Sequence, residues 1–507
     1  MSPRDVPFVP MGALVAGHVR DRGHAPALTV GEVTWSWAEL VGRSARVAQA
    51  LRREGLAPGD VVAVLAATHP DYVALWLGAL MAGVAVAPLP PSARPEQLAG
   101  MVADSGARLL FADAANREAL AGVAVPVQLV ATEGLDAFLG DAAADVPDLA
   151  LSEAAWRALP FNIIYSSGTT GVPKGIVHSH AMRWAHLTGG RAAGYDEAAV
   201  TLLSTPLHSN TTLVAALPTL AWGGHLVLMA KFDAGQWLAL AERARATHTM
   251  LVPVQYRRLL AHPGFDRFDL SAMVMKFATS APFEAGLKRE VLERFPGGLI
   301  EYYGMTEGGG GTVLVAHAHP DKLHTVGQPI PGHEILLLGE DGAPVPVGEV
   351  GEIVGHSGAT MLGYANRPEA TAATQWRHPD GRVFIRTGDL GRFDADGFLE
   401  LVGRKKDMII SGGFNIYPVD LEAVLCAHPD VAEAAVVAMA SAEWGETPAA
   451  FVVPKPGAVV DPDALRAFAN ARLGKTQRIA EVRLIPELPR SAIGKVLKRE
   501  LRALLDA

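Results

Sequence analysis

Apolar runs of strand length alternate with helical runs through the first part of the chain. Strand-like runs occupy 60–67, 84–89 and 107–112, and helical runs lie between them at 71–82 and 96–106. The alternation continues with apolar runs at 129–133, 225–233 and 273–281. Strand, helix and strand in this order are typical of parallel sheets that are covered by helices. The pattern therefore predicts an α/β fold.

The uncharged stretch at 72–90 has 19 residues, which is close to the length of a membrane-spanning helix. Gly83 divides the stretch, and Pro88 and Pro90 close it. Because glycine and proline break a continuous helix, we favour a buried helix followed by a buried strand. A membrane span is the less favoured alternative, and none is predicted.

The pattern changes after about residue 320. Short strand-like runs at 332–356 are separated by the turn signals EDG and VGEVGE, and 391–407 predicts a hairpin with an Asp-Gly turn. These runs predict an antiparallel sheet or a distorted β-barrel. A tail of about 100 residues then predicts a small α+β domain. We place the boundary at GRKKD, which gives an N-terminal domain of 1–403 and a C-terminal domain of 404–507.

Composition narrows the class of protein. With 507 residues the chain exceeds one ordinary core, and its formal net charge of −9 disfavours a nucleic-acid-binding surface. The single cysteine, Cys426, excludes an intramolecular disulfide and fits a reducing compartment. The first ten residues contain no apolar signal core. We expect a cytoplasmic protein that binds small molecules and no nucleic acid.

The stretch YSSGTTGVPKG at 165–175 combines four Ser and Thr residues, three glycines and one lysine. Glycines let the backbone approach an anion closely, and hydroxyls and a lysine donate to it, so the loop is a candidate phosphate-binding site. An ordinary surface loop has a similar composition and is the alternative.

Other phosphate-binding and catalytic signatures are absent from the sequence. A Walker A loop needs a glycine five residues before its Gly-Lys-Thr ending, and Ala469 occupies that position relative to Gly474. No dinucleotide-binding, H-E-x-x-H or G-x-S-x-G motif occurs. The sequence therefore lacks the signatures of a P-loop NTPase, a dehydrogenase, a zinc protease and an α/β-hydrolase.

Four further stretches change the interpretation of the loop. They are YYGMTEG at 302–308, RTGDL at 386–390, GRKKDMIISGGFNIYP at 403–418 and PRSAIGK at 489–495. Together with the loop at 165–175, and in this order, they resemble the core motifs of the adenylate-forming superfamily of acyl-CoA synthetases, luciferases and nonribosomal adenylation domains. The chain is most similar to carboxylic acid–CoA ligases, and the resemblance covers nearly its whole length.

This resemblance implies a reaction in two steps that share one site. A carboxylate attacks the α-phosphate of ATP, which gives an acyl-adenylate and pyrophosphate, and coenzyme A then accepts the acyl group with release of AMP. Two anions meet in the first step, so the site must supply positive charge and oriented donors. The implied ligands are ATP, Mg²⁺, coenzyme A and a small carboxylic acid. A homodimer is a further expectation from the family.

The motifs assign roles by resemblance. Lys174 adds charge at the β- and γ-phosphates, Thr306 contacts the α-phosphate, and Glu307 holds Mg²⁺, a cation that prefers oxygen ligands. Asp389 accepts from the ribose hydroxyls with help from Arg404. The adenine is expected against Tyr303. The residues expected to wrap the phosphates are Ser166, Ser167, Gly168, Thr169, Thr170 and Gly171.

The resemblance also implies a mobile C-terminal domain. Lys495 is expected to bridge the carboxylate and the α-phosphate during adenylation, by charge and placement and without acting as a base. Lys406 matches the hinge position, although the neighbouring Lys405 is an alternative. Rotation about the hinge would remove Lys495 and present Gly412 and Gly413 to the pantetheine of coenzyme A.

The acid pocket is predicted from the same comparison. Amino-acid-activating relatives carry an aspartate near 205–210, and this chain has none there, so an α-amino acid is disfavoured. His208 matches a histidine at the mouth of the pocket, with a structural histidine as the alternative. Four glycines at 308–311 are expected to leave free volume. The other predicted pocket residues are Ser280, Ala281, Met305, Gly308, Gly309, Val326 and Gly327.

These pocket residues favour an apolar acid, either aryl or of medium chain length. Polar side chains at 209–212 leave open a polar substituent on the acid. Coenzyme A is the favoured acceptor, and an acyl-AMP ligase that loads a carrier protein is the nearest alternative. A luciferase-type monooxygenase and a non-catalytic adenylate-binding sensor are more distant alternatives.

Overall fold

The computed structural model describes residues 6–121, 124, 128–131, 135–166, 173–411, 414–441, 443–474, 477–491 and 494–505. The helices in these ranges are α1 Met11–Arg22, α2 Trp37–Arg53, α3 Pro70–Met81, α4 Pro95–Ser105, α5 Ala114–Ala119, α6 Leu135–Leu139, α7 Glu153–Ala158, α8 His180–Ala192, α9 Asn210–Ala221, α10 Ala234–Ala244, α11 Pro253–Leu260, α12 Ala285–Arg294, α13 Pro368–Ala373, α14 Pro418–Cys426, α15 Pro462–Asn470 and α16 Lys498–Ala503.

The strands of the first part of the chain are β1 Pro26–Val30, β2 Val33–Ser36, β3 Val61–Leu65, β4 Ala85–Pro88, β5 Ala107–Ala112, β6 Gln128–Ala131, β7 Pro160–Ser166, β8 Lys174–Ser179, β9 Val200–Leu203, β10 His225–Leu228, β11 His248–Leu251, β12 Met275–Ala278, β13 Gly298–Gly304, β14 Gly311–Val315 and β15 Gln328–Pro329.

The later strands are β16 Glu334–Leu338, β17 Gly351–His356, β18 Gly363–Tyr364, β19 Gln375–Arg377, β20 Val383–Phe393, β21 Leu399–Arg404, β22 Ile409–Ser411, β23 Phe414–Ile416, β24 Val431–Ser441, β25 Gly445–Pro454 and β26 Glu481–Leu484.

Two mixed sheets with parallel centres form most of the N-terminal part. The nine-stranded sheet has the order β15-β14-β13-β12-β11-β9-β10-β1-β2 and is parallel from β13 to β1. The seven-stranded sheet has the order β18-β8-β7-β4-β3-β5-β6 and is parallel from β7 to β6. Helices lie between consecutive parallel strands, which confirms the α/β fold that the alternating pattern predicts.

Helix α3 and strand β4 occupy the uncharged stretch at 72–90, so the interpretation as a buried helix and strand is confirmed. Every residue of α3 is buried, as expected for a helix that is apolar on all sides. It packs closely on α2, because a Cβ added to Gly78 would lie 2.5 Å from the Ser44 carbonyl oxygen and the Val47 Cβ. Among the described helices, none combines the length and apolar character that crossing a membrane requires.

Two smaller sheets follow. The first has the order β16-β17-β20-β19 with β21 paired to β20; all its pairs are antiparallel, and its order is that of an open sheet. It corresponds to the segment predicted as an antiparallel sheet or distorted barrel. The second has the order β23-β22-β25-β24, with β26 parallel to β25, and its core is separate. The predicted boundary at 403/404 falls at the last residue of β21 and remains a prediction.

Candidate active site

The hairpin of β20 and β21 places three of the predicted nucleotide residues together. Asp389 and Arg404 are opposite each other in the strand register, and the Arg404 Nε lies 2.6 Å from the Asp389 Oδ1. The Tyr303 hydroxyl, at the end of β13, donates to the Asp389 Oδ2 at 2.9 Å. Burial raises the pKa of Asp389, while Arg404 and Tyr303 act in the opposite direction. Each carboxylate oxygen keeps acceptor capacity for a further donor such as a ribose hydroxyl.

The phosphate loop connects β7 to β8 at the edge of the seven-stranded sheet. Ser166 ends β7 and pairs with Lys174, which begins β8. The Lys174 Nζ lies 5.1 Å from the centre of the Tyr364 ring, within the range of a cation–π contact. The other predicted phosphate residues, Ser167, Gly168, Thr169, Thr170 and Gly171, lie outside the described residues, as do Gly412 and Gly413 of the predicted thiol tunnel.

Glu307 accepts hydrogen bonds from β18 and from the segment that precedes it. The Tyr364 hydroxyl donates to the Glu307 Oε1 at 2.7 Å, and the Met361 N–H donates to the Glu307 carbonyl oxygen at 2.9 Å. Burial and the neighbouring carboxylate raise the pKa of Tyr364, so the phenol stays protonated and donates. The contact leaves the other carboxylate oxygen of Glu307 for a second ligand.

The donor set around Glu307 fits a magnesium ion that is bound mainly through phosphates. No cluster of three or more His, Cys, Asp or Glu ligands occurs within the described ranges. The described residues therefore contain no site that could hold a metal with protein ligands alone, and Glu307 would supply a single carboxylate ligand. Mg²⁺ usually binds one or two carboxylates together with substrate phosphates and water.

Lys495 lies between the two parts of the chain. Lys495 is exposed to solvent, and desolvation by the surrounding protein lowers the pKa of its ammonium. Arg404 also lowers this pKa, whereas the charges of Asp389 and Glu307 raise it. Lys495 therefore lies within electrostatic range of Arg404, Asp389 and Glu307, and the space between these residues is called the cleft below.

Contacts with α11 hold the turn that carries Lys495. A Cβ on Gly494 would lie 3.1 Å from the Val254 Cγ1, so the turn rests on the beginning of α11. Glu433 bridges the two parts: its Oε1 lies 3.3 Å from the Arg257 Nη1 of α11, and its Oε2 lies 2.7 Å from the Arg490 Nη2 of the Lys495 turn.

The predicted hinge residue, Lys406, is in a 3₁₀ turn, Lys405–Asp407, between β21 and β22. The residues on either side of it form ion pairs with different parts of the chain. The Lys405 Nζ pairs with the Glu352 Oε2 at 2.9 Å on the N-terminal side, and the Asp407 Oδ1 pairs with the Arg502 Nη2 at 2.9 Å on the C-terminal side. Lys406 therefore lies between a residue bound to the N-terminal part and a residue bound to the C-terminal part.

The N-terminus of α9 and the loop after β12 meet at the predicted acid pocket. The Thr211 Oγ1 lies 2.5 Å from the Ser280 Oγ, and Ser280 has a φ of 81°. Ser209 caps α9, so its hydroxyl is already used, whereas the buried Oδ1 of Asn210 has no hydrogen-bond partner among the described residues. Thr211 is bonded to Ser280 and Thr212 to Thr205, so the Asn210 oxygen is the polar atom of this segment that remains for a substituent among the described residues.

His208 precedes this helix, and burial lowers its pKa to about 4, so the imidazole is neutral at physiological pH. No described hydrogen bond or ion pair of this histidine joins it to Lys495 or Glu307, and its role stays a prediction. Ala281 and Met305 are half-buried beside Ser280 and Thr306 in the chain. Val326 and Gly327 are paired by backbone hydrogen bonds to Leu399 of β21, which brings them beside the nucleotide hairpin.

The free volume expected from four glycines is not found. A Cβ on Gly308 would lie 2.0 Å from the Ala359 carbonyl oxygen, and one on Gly309 would lie 2.7 Å from the Gly355 carbonyl oxygen and the Ile385 Cβ. Gly308 and Gly309 also have positive φ values of 75° and 87°. These glycines therefore allow two backbone segments to pack closely, and the space where a side chain would be is filled by protein.

Sequence reasoning did not identify three of the residues that shape the site. Tyr364, His178 and Glu433 contact predicted site residues or the element that carries Lys495. None lies inside a recognised motif. The tyrosine and the histidine lie on paired strands at the edge of the seven-stranded sheet, and only the pairing of β18 with β8 would indicate that they are near the site.

Comparison with known proteins supports the same assignment. The chain matches the AMP-binding enzyme family over residues 15–365 and the AMP-binding enzyme C-terminal domain over residues 420–495. It is 36% identical to a feruloyl-CoA synthase of an Amycolatopsis species, over 97% of this chain and 98% of the relative. It is 34% identical to a 2-succinylbenzoate–CoA ligase of Geobacillus kaustophilus, over 94% of this chain and 95% of the relative.

A similar solved structure is that of ATP-bound MatB from Rhodopseudomonas palustris. The TM-score is 0.88 at 30% sequence identity, and the match covers 98% of each chain. The fold therefore agrees over nearly the whole chain with that of a protein crystallised with ATP. Together with the family matches, this shows that the chain belongs to the AMP-binding enzyme family of the adenylate-forming superfamily and is an AMP-forming acid–thiol ligase that uses ATP and coenzyme A.

Proposed function

We propose that the protein activates an aryl carboxylic acid with a polar ring substituent as its acyl-adenylate and then transfers the acyl group to coenzyme A. The observation that carries this proposal is that the turn with Lys495 rests on α11 and brings the ammonium within electrostatic range of both Asp389 and Glu307. The cleft holds a cation where a carboxylate and an α-phosphate would meet. The stabilisation of that charge is the main task of the adenylation step.

Each residue has a separate part in the proposed adenylation step. Asp389 orients the ribose, and Lys174 and the loop before it hold the outer phosphates. Lys495 lies between the two reacting anions and reduces their repulsion while they approach. Glu307, with its carboxylate oriented by Tyr364, would hold Mg²⁺, which supplies charge neutralisation on the phosphates.

The second step requires the same cleft to admit a thiol. We assign the hinge to Lys406, because Lys405 and Asp407 on either side are anchored to opposite parts of the chain. A rotation there would break the contacts of Glu433 with Arg257 and withdraw Lys495. Gly412 and Gly413 would then approach the acyl-adenylate, which completes the proposed cycle.

An aryl acid is favoured over a medium-chain acid by two similarities and by the pocket. Feruloyl-CoA synthase and 2-succinylbenzoate–CoA ligase are named for aromatic acids. The neutral His208 and the absence of a carboxylate at 205–212 disfavour an ammonium group on the substrate. The buried Asn210 Oδ1, which has no hydrogen-bond partner among the described residues, favours a polar substituent on the ring.

A panel of carboxylic acids assayed by pyrophosphate release, with and without coenzyme A, tests this proposal. We expect the highest kcat/KM for hydroxylated aryl acids, lower values for unsubstituted aryl and medium-chain acids, and none for α-amino acids. Thioester formation with coenzyme A, compared with acylation of a carrier protein, identifies the acceptor. Equal rates for aryl and straight-chain acids would reject the aryl assignment. A homodimer and a cytoplasmic location remain predictions.

A further inference from the structure

A chain of hydrogen bonds runs from α8 through the edge of the seven-stranded sheet to the backbone of Thr306. The Arg183 Nε donates to the Asn162 Oδ1 at 2.8 Å, and the Asn162 Nδ2 lies 3.2 Å from the His178 Nδ1. The His178 Nε2 lies 2.7 Å from the Thr306 carbonyl oxygen. Asn162, His178 and Arg183 are each 0% exposed. The chain therefore joins three elements to the predicted catalytic loop without contact with solvent.

The order of donors and acceptors fixes the histidine tautomer. The Asn162 oxygen accepts from Arg183, so its amide nitrogen faces His178 and donates to the Nδ1. The His178 Nδ1 is then the acceptor, and the proton is on the Nε2, which donates to Thr306. Burial and the charge of Arg183 lower the pKa of His178 well below its usual range, which keeps the ring neutral and agrees with this tautomer.

Arg183, the first residue of this hydrogen-bond series, is buried as a charged group, which costs desolvation free energy. Within the described ranges it forms no ion pair with a carboxylate, and its Nη2 has no hydrogen-bond partner. Burial lowers its pKa to about 9. Apolar residues of similar volume usually stabilise a core as well as a buried charge does, so a buried arginine is poorly explained by stability alone.

The hydrogen-bond series ends at the peptide group that joins Thr306 to Glu307. His178 holds the carbonyl oxygen of Thr306, and the Met361 N–H holds the carbonyl oxygen of Glu307. The two peptide groups are thus each restrained by a hydrogen bond, one from β8 and one from the segment before β18. The orientation of both side chains depends on these peptides.

We propose that His178, anchored by Asn162 and Arg183, is a positioning residue for adenylation. It fixes the peptide between Thr306 and Glu307 so that the hydroxyl and the carboxylate face the nucleotide. This inference rests on the roles assigned to Thr306 and Glu307 in the proposed function. It assigns to a histidine outside every recognised motif an effect on the rate of the first step.

His180 provides a matched control, because it is a buried histidine two residues away with no connection to Thr306. It packs edge-on against Trp156 and Phe161, and its Nε2 has no described partner. Burial lowers its pKa to about 4, so it is also neutral. A purely structural role for His178 would give it the same behaviour as His180 on substitution.

The test compares His178→Leu, His178→Gln and His180→Leu in the full chain. Thermal unfolding, acid-dependent pyrophosphate release and thioester formation from supplied acyl-adenylate are measured for each. We expect His178→Leu to lower the adenylation kcat by about 10- to 50-fold with the ATP KM changed less than about threefold. Glutamine can donate from its amide to the Thr306 carbonyl, so His178→Gln should recover most of this loss. The His180→Leu variant should lose stability and keep its adenylation kcat.

The proposal is overturned if His178→Leu and His180→Leu lose activity in proportion to their loss of stability, or if glutamine restores nothing. Should His178→Leu fail to fold, Asn162→Leu removes the anchor and retains the histidine. Its expected adenylation kcat is about three- to tenfold lower, and an unchanged kcat would also overturn the proposal. Absence of pyrophosphate release by the wild-type chain with any acid would reject the adenylation activity itself, and this inference with it.

Discussion

Lys174 and Lys495 carry the same charge to one cleft but are attached to the molecule in different ways. Lys174 begins a strand, pairs with Ser166 in register and lies against the Tyr364 ring of the next strand, so the seven-stranded sheet fixes its backbone. Lys495 lies in a short turn beyond the last sheet and is held over the cleft by contacts with α11. Under the proposed roles, the charge that binds the outer phosphates is built into a sheet, whereas the charge that must be withdrawn before the second step is carried on a separate turn.

The largest expected effect comes from removal of the movable charge. Lys495→Ala should lower the rate of adenylation by about 10²- to 10³-fold, because a preorganised cation at the reacting anions is lost. Thioester formation from supplied acyl-adenylate should change much less, since the lysine has left the cleft in that step. Single-turnover measurements of both steps check this, with Lys455→Ala as a control in the same domain. Equal losses in both steps would contradict the assignment.

A rigid hinge should have the opposite effect. Proline at position 406 fixes φ and restricts the preceding residue, so Lys406→Pro should slow the rotation between the two states. We expect thioester formation to fall by about tenfold or more while adenylation is nearly retained. Lys406→Ala, which keeps the backbone free, is the control. Unimpaired thioester formation in the proline variant would place the hinge elsewhere.

The pH dependence distinguishes the two steps as well. Burial lowers the pKa of Lys495, and adenylation needs its charged form. As pH rises through this lowered pKa the ammonium loses its proton, so the adenylation rate should fall at a lower pH than an ordinary lysine would require. Arginine stays charged throughout this range, so Lys495→Arg should be slower at neutral pH and lack the alkaline decline. A decline at the same pH in both proteins would contradict a role for Lys495 in it.

Much of the fold was accessible from the sequence because strands and helices alternate with clear breaks at glycine and proline. The structure places Tyr303, Asp389 and Arg404, which the motifs assign to the nucleotide, in contact with one another, and a hairpin with its turn near 394–397 is sufficient to bring the last two opposite each other. The contact of Tyr364 with Glu307 could not be predicted, because it depends on a two-residue strand. The glycines at 308–311 were misjudged, since composition does not show which backbone packs against them.

A smaller effect is expected from the contact that holds the movable element. Glu433→Gln removes the charge that bridges Arg257 and Arg490. Because both arginines are partly exposed, the arrangement of the two parts that adenylation requires should be destabilised by about 0.5–1 kcal/mol. Adenylation should slow by about two- to fivefold, and thioester formation should be unchanged or faster. Increasing salt should reduce the difference between wild type and variant. A parallel loss in both steps would indicate that Glu433 acts only on stability.

The position of the Lys495 ammonium in a crystal structure with ATP and the preferred acid tests the central claim most directly. We predict that the triphosphate lies against the loop before Lys174 and that the Lys495 Nζ is within hydrogen-bonding distance, about 3 Å, of an α-phosphate oxygen. A nucleotide bound in this cleft with the Lys495 side chain directed away from it, while adenylation proceeds in the same crystals, would contradict the account.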